Sequence, residues 1–245
     1  MATGLKGYWR LSRAPRYSLV FALPLLVGYQ LLAAFTSGGA SHALRNGADV
    51  MLQTLFVAVA GRWGPIAFLC CVTAVGLWLV ARDMRAHGRH LSAAIFLCMG
   101  AEAVGLALLF GVVVGALTSR VVGPPMLIGA YPITALGWPS RLMLSLGAGL
   151  YEELLFRVIL VTALAGGARA LLGWTEEGAA TFGVLAGALA FSAVHYIGPY
   201  GDRLSLYSFV FRMIAGVFFS ALYVLRGFGI TAWTHALYDT LLLLG

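Results

Sequence analysis

Seven stretches of this sequence are apolar over a length that a lipid bilayer dictates: residues 17–35, 63–81, 92–117, 141–164, 179–197, 205–225 and 228–245. A hydrocarbon core about 30 Å thick needs about 20 residues of α-helix to cross it. Helices satisfy their own backbone groups, which lipid cannot do. The chain is therefore predicted to be all-α, a polytopic membrane protein with a bundle of about seven transmembrane helices. Another stretch, "ADVMLQTLFVAVAG" at 48–61, is apolar but too short to cross and is expected to be an interfacial or re-entrant helix. Composition agrees, because only 10% of the 245 residues are charged, against about a quarter in a soluble domain. The first run, Tyr17 to Phe35, exceeds the core of a signal peptide, about 7–15 residues, and is read as a span.

The formal charge of +7 does not imply nucleic acid, because the basic residues flank the apolar runs. That is the pattern of topology anchors, and the implied partner is the lipid bilayer. With seven alternating spans, Lys6, Arg10, Arg13, Arg16, Arg82, Arg85, Arg89, Arg169 and Arg226 fall on one side, and Arg45, Arg62, Arg120, Arg141 and Arg203 on the other. The bias places the N-terminus in the cytoplasm. Arginine outnumbers lysine 15 to 1, which reads as the codon bias of a GC-rich genome and points to a bacterial inner membrane. Cys70, Cys71 and Cys98 lie within apolar runs and are expected to be buried, inert thiols. The connection 119–140 holds "GPP", "YP" and "WP" and reads as a loop, and His42, His87 and His90 fall in solvated loops.

Setting loop charges aside leaves Glu102, Glu152, Glu153, Arg157, His195, Arg212, His235 and Asp239 inside the spans. A charge at the bilayer centre costs about 2.5–3.5 kcal/mol on insertion scales, so such residues are rarely idle. In "GLYEELLFRVIL", at about 100° per residue, Glu153 and Arg157 share one face, and Glu152 points elsewhere. Gly149 precedes Glu153 by one turn on that stripe and leaves room for another helix. In the fifth span Gly183, Gly187, Phe191 and His195 recur every four residues, and in the last span His235 and Asp239 do the same. Polar groups on three spans have strong reason to face each other in lipid. Each also has a plain structural reading: an ion pair for Glu153–Arg157, a satisfied core histidine for His195, a helix-surface pair for His235–Asp239. Taken together these are harder to sustain, since each carries its own desolvation cost. Glu102 and Arg212 belong to no multi-residue pattern and are read as structural.

These three clusters resemble the motif set of the CPBP family, the CAAX-processing and Abi-type intramembrane glutamic endopeptidases. EExxxR is matched by Glu152, Glu153 and Arg157, FxxxH by Phe191 and His195, and HxxxN by His235 with Asp239 in the asparagine position. The resemblance divides a single integral-membrane domain into N-terminal helices and loops, 1–140, and catalytic helices, 141–245. It implies hydrolysis of a membrane-anchored protein near its C-terminus, with Glu152 as general base and His195 holding the water. Glu153 and Arg157 would support that site, and His235 with residue 239 would stabilise the oxyanion. An ionised aspartate cannot donate to an oxyanion, so Asp239 is expected instead to orient His235.

No cofactor is implied. The alternative is zinc, for which His195, His235 and Glu152 are suitable ligand types, although HExxH is absent. If the site opens outward, the resemblance extends to myxosortase-like members acting on C-terminal sorting anchors; a cytosolic opening suits prenylated CAAX substrates. Outside the protease class, a proton-coupled transporter or an immunity protein also fits intramembrane charges.

Overall fold

The computed structural model describes residues 4–36, 44–124, 136–198 and 201–244. Among these residues the chain is helical throughout. The helices are α1 (Leu5–Arg13), α2 (Pro15–Thr36), α3 (Gly47–Ala60), α4 (Gly64–His87), α5 (Ala93–Val122), α6 (Trp138–Leu172), α7 (Glu176–Val194), α8 (Leu206–Arg226) and α9 (Phe228–Leu244). Six helical stretches are long and apolar enough to cross a membrane: α2, the run Gly47–His87, α5, α6, α7 and α8. The expected last span is α9, which at 17 residues is shorter and packs against α2, α5, α6 and α8.

Local chemistry sets the boundaries. Pro139 occupies the first turn of α6, where its missing N–H costs nothing. The "WP" expected in a loop therefore opens a helix, and α5 runs on to Val122. The expected loop thus shrinks at both ends, and its residues 125–135 lie outside those described. Thr175 caps α7, accepting from the Gly178 N–H, and Glu176 and Glu177 complement the positive end of the helix.

Contacts fix the relative directions. Ser18 Oγ accepts from Gly229 N, and Phe21 O from Trp233 Nε1, so α9 runs parallel to α2. On the paired antiparallel helices α5 and α8, Glu102 meets Arg226 and Phe110 stacks on Phe219. Between α3 and α4 the chain reverses. Phe56 and Phe68 meet at 5.4 Å, and a Cβ on Gly64 would lie 2.4 Å from Val57 N. The short apolar segment is thus a helix folded back on α4, as a re-entrant reading requires.

Lipid inverts the usual surface rule. Leu97, Val112, Leu185 and Leu189 are exposed outward, which is where lipid would lie. Cys70, Cys71 and Cys98 are exposed as well, which corrects the expectation of burial. An apolar thiol meets no penalty against acyl chains, so hydropathy alone does not say whether it faces protein or lipid. His87 also departs from expectation: it lies in the last turn of α4 with Nδ1 2.9 Å from Asp83 Oδ1. His90 is exposed in a loop as expected, and His42 lies outside the described residues.

The N-terminal helix α1 was not anticipated. Tyr8 OH donates to Glu102 Oε2 at 2.5 Å, and Arg226 donates to both Glu102 oxygens at 2.5 and 2.7 Å. Ser12 Oγ accepts from Arg226 as well. Glu102 is therefore a clamp joining α1, α5 and α8, in keeping with its structural reading.

Close helix contact is built where the small-residue stripes put it. A Cβ on Gly149 would lie 2.3 Å from Ala232 O and 2.6 Å from Ala236 Cβ on α9; one on Gly183 would lie 2.8 Å from Val161 O on α6. Backbone cannot swing aside as a side chain can. Gly149→Ala should therefore destabilise the protein by about 1–3 kcal/mol. Gly166→Ala, with nothing within 4 Å, should leave the melting temperature in detergent unchanged or raise it. Equal melting temperatures would remove the claim that α6 and α9 meet at Gly149.

Candidate active site

The centre of α6 is not a regular α-helix. From Ala148 to Val161 its backbone is a π-helix, with hydrogen bonds closing at i→i+5. Such turns are rare and concentrate at functional sites. Fourteen residues is long for one, and this stretch carries the whole EExxxR motif. The regular 100° spacing assumed from sequence therefore does not hold here, and the wider turn lets Glu152 and Glu153 both face the same imidazole on α9.

Glu153 is fully buried. Its Oε1 lies 2.7 Å from His235 Nδ1 and 3.2 Å from Arg157 Nη1. The arginine contact is close but off-axis, and both Nη atoms of Arg157 lack a hydrogen-bond acceptor. Aromatic faces compensate: the guanidinium lies 4.4 Å from the Phe191 ring and 5.5 Å from Phe219. The phenylalanine of FxxxH thus serves the arginine of EExxxR.

His235 stacks on Phe219, with ring centroids 4.4 Å apart and planes 17° from parallel. A carboxylate can only accept, so Nδ1 carries the proton it gives to Glu153. Nε2 then points to a gap bordered by Glu152 Oε2 at 4.0 Å and Asp239 Oδ2 at 3.7 Å. Both distances exceed a hydrogen bond. The orienting contact on His235 is made by Glu153, not by Asp239 as expected from sequence. Two carboxylates on α6 leave one free for this role, and Asp239 is displaced to the edge of the gap.

His195 ends α7. Its Nδ1 donates to Phe191 O at 2.7 Å, which leaves Nε2 as the open ring nitrogen. It lies within electrostatic reach of Glu152, Asp202 and Arg212. The following loop is tied back by Asp202 N to His195 O at 2.8 Å and by an Asp202–Arg212 ion pair. Arg212, read as structural, also lies within electrostatic reach of Asp239, so it borders the site. The side chains of Glu152 and Asp239 are 13% and 27% exposed, and those of Glu153 and His235 are 0% and 7%. Glu152 and Asp239 therefore stand on the more exposed side of His235, and Glu153 on its buried side.

Of the six residues expected from the sequence, Glu152, Glu153 and Asp239 thus lie within 4.0 Å of His235, Arg157 meets Glu153, and His195 lies within electrostatic reach of Glu152. One participant was missed: Asn46, whose Nδ2 donates to Glu152 Oε1 at 2.9 Å. It lies before α3, in a region where the motifs find nothing to match. Its sequence signal is its rarity, since no other asparagine occurs in the chain. Among the described residues no group of three or more His, Cys, Asp or Glu side chains is arranged to hold a metal ion.

Comparison with known proteins adds an independent line. A family model described as type II CAAX prenyl endopeptidase Rce1-like matches residues 134–241. No curated protein and no solved structure gave a match to the chain. The matched region begins just ahead of α6 and ends within α9, so it contains every residue of the cluster except Asn46. The site-bearing helices of this multi-pass membrane protein are thus similar in sequence to the Rce1-like CAAX prenyl endopeptidases of the CPBP group.

Proposed function

We propose that this chain is an intramembrane glutamic endopeptidase that cleaves membrane-anchored proteins near their C-termini. The observation that carries the reading is the His235 imidazole held between the two glutamates, with Nδ1 fixed by Glu153 and Nε2 left facing Glu152 Oε2. A 4.0 Å separation with an open side is suited to a substrate oxygen or a water between them.

In this reading a water held by Glu152 Oε2 and His195 Nε2 loses a proton to Glu152 as its oxygen attacks the scissile carbonyl carbon. The carbonyl oxygen becomes an oxyanion and accepts a hydrogen bond from protonated His235 Nε2. When the C–N bond breaks, the departing nitrogen takes the proton from Glu152, and a carboxylic acid and an amine result. A positioned base contributes about 10²–10⁴-fold, and a fixed oxyanion donor in a dry site about 10²–10³-fold. Glu153 and Arg157 set the ring's orientation. Asp239, 3.7 Å from Nε2, favours the imidazolium that donates to the oxyanion.

The expected N-in topology directs the His195 end of α7 outward, which favours exported substrates with C-terminal sorting anchors in a bacterial inner membrane. A prenylated CAAX substrate is the alternative suggested by the family description. Purified protein in liposomes, given internally quenched peptides of both kinds, distinguishes them. Glu152→Gln should lower kcat by at least about 10²-fold and His235→Ala by a similar factor, while Asp239→Asn stays within about threefold of wild type. Equal and complete loss in Asp239→Asn and His235→Ala would reassign Asp239 to the chemistry. The same preparation should keep its activity after exhaustive chelation. Loss that only zinc reverses would replace glutamate catalysis with a metal-bound water.

A further inference from the structure

Asparagine occurs once in this chain, at position 46, and glutamine twice, at 30 and 53. All three carboxamides lie in one partly buried cluster beside Glu152, which Gln30 joins through Tyr151 and its ring contact with Tyr29. Asn46 is 6% exposed and caps α3. Its Oδ1 accepts from Ala48 N at 2.9 Å, which fixes the amide orientation and turns Nδ2 toward Glu152 Oε1 at 2.9 Å. Its backbone N–H donates to Tyr29 OH at 3.2 Å, and that hydroxyl donates to Asp49 Oδ2 at 2.7 Å. Arg45 Nη1 and Gln53 Nε2 hold the two Asp49 oxygens at 2.9 and 2.6 Å. On the α6 side, Gln30 Nε2 donates at 2.9 Å to Tyr151 OH, whose ring meets Tyr29 edge-on at 5.0 Å. A Cβ on Gly147 would lie 2.7 Å from Asn46 Cβ, so α6 leaves room for this approach.

We propose that Asn46 is a positioning residue of the active centre: by holding Glu152 Oε1 it turns Oε2 into the gap before His235, and the turn leading into α3 is a fourth element of the site. This rests on the peptidase reading. In a largely apolar interior, Glu152 can leave an oxygen free for chemistry only if the other is held. The amide that holds it is itself fixed by the Ala48 N–H, with the Asn46 backbone tied to Tyr29 and through it to Asp49, Arg45 and Gln53. An ionised carboxylate accepts such a bond more strongly than a neutral acid does. The other groups facing Glu152 are Glu153 and Arg157 on α6, His195 on α7, and His235 and Asp239 on α9, with Arg212 on α8 beyond Asp239. Arg45, Asp49 and Tyr29 stand behind Asn46.

Serine caps helices about as well as asparagine, yet its hydroxyl is too short to reach Glu152, so Asn46→Ser separates the cap from the contact. With the quenched peptide cleaved best by wild type, Asn46→Ser should keep the melting temperature and KM. It should lower kcat about tenfold and move the acidic limb of the kcat/KM profile to higher pH. Asn46→Asp, which replaces the donor with a second carboxylate, should be slower still. Labelling with [15N]asparagine gives a single side-chain amide signal, which should move across the acidic limb in wild type and stop moving in Glu152→Gln. An Asn46→Ser variant with wild-type kcat and pH profile, or an amide signal indifferent to Glu152→Gln, would overturn the role of Asn46. Cleavage that survives Glu152→Gln would instead remove Glu152 as the general base, and a wild-type protein that cleaves none of the peptides would remove the peptidase reading on which the role of Asn46 rests.

Discussion

Everything at the centre of this protein depends on one fully buried oxygen, Glu153 Oε1, which faces Arg157 on its own helix and His235 on α9. Removing one partner of a buried pair leaves an uncompensated charge, at about 3–5 kcal/mol. That penalty ties α6 to α9 more specifically than apolar packing in lipid can, because acyl chains solvate leucine as well as protein does. The close contact at Gly149 brings the two backbones near enough for the bond to form. The structural ion pair and the proposed catalytic site are thus the same group of atoms viewed from its two sides.

The arrangement also explains why two adjacent carboxylates are needed. One is consumed by structure, orienting the imidazole and neutralising Arg157. The other stands at the open edge with Asn46 on one oxygen and nothing within hydrogen-bond reach among the charged groups around the second. A regular α-helix would separate neighbouring side chains by about 100°. The π-helical turn relaxes that separation, and both carboxylates address one ring.

Much of this was legible in the sequence, for a specific reason. Glu153–Arg157, Phe191–His195 and His235–Asp239 each recur at i,i+4, and that spacing survives in α- and π-helices alike. The number of spans, to within one, and their approximate limits follow from bilayer thickness, so they too could be read. Three features could not. A π-helix leaves no periodic mark, because its pairs remain four apart in sequence. Cys70, Cys71 and Cys98 were misplaced because hydropathy does not distinguish lipid from protein interior. Asn46 belongs to a turn, where no period exists, and its partner is 106 residues away.

A contrast within the molecule separates structural from reactive polar groups. Glu102 is as much an intramembrane carboxylate as Glu152, and it too meets an arginine. Both of its oxygens are occupied, by Arg226 Nε, Arg226 Nη2 and Tyr8 OH. Neither carboxylate oxygen remains to bind a reactant. Around His235 the accounting is incomplete: Glu153 Oε2 has no partner, Arg157 relies on ring faces, and Glu152 Oε2 and Asp239 stand back from Nε2. Desolvation makes unsatisfied polar atoms expensive wherever they are buried. A fold that occupies both Glu102 oxygens, leaving only Arg226 Nη1 over, yet leaves Glu152 Oε2 open beside the more exposed edge supports the proposal that the second cluster takes a ligand able to supply the missing bond.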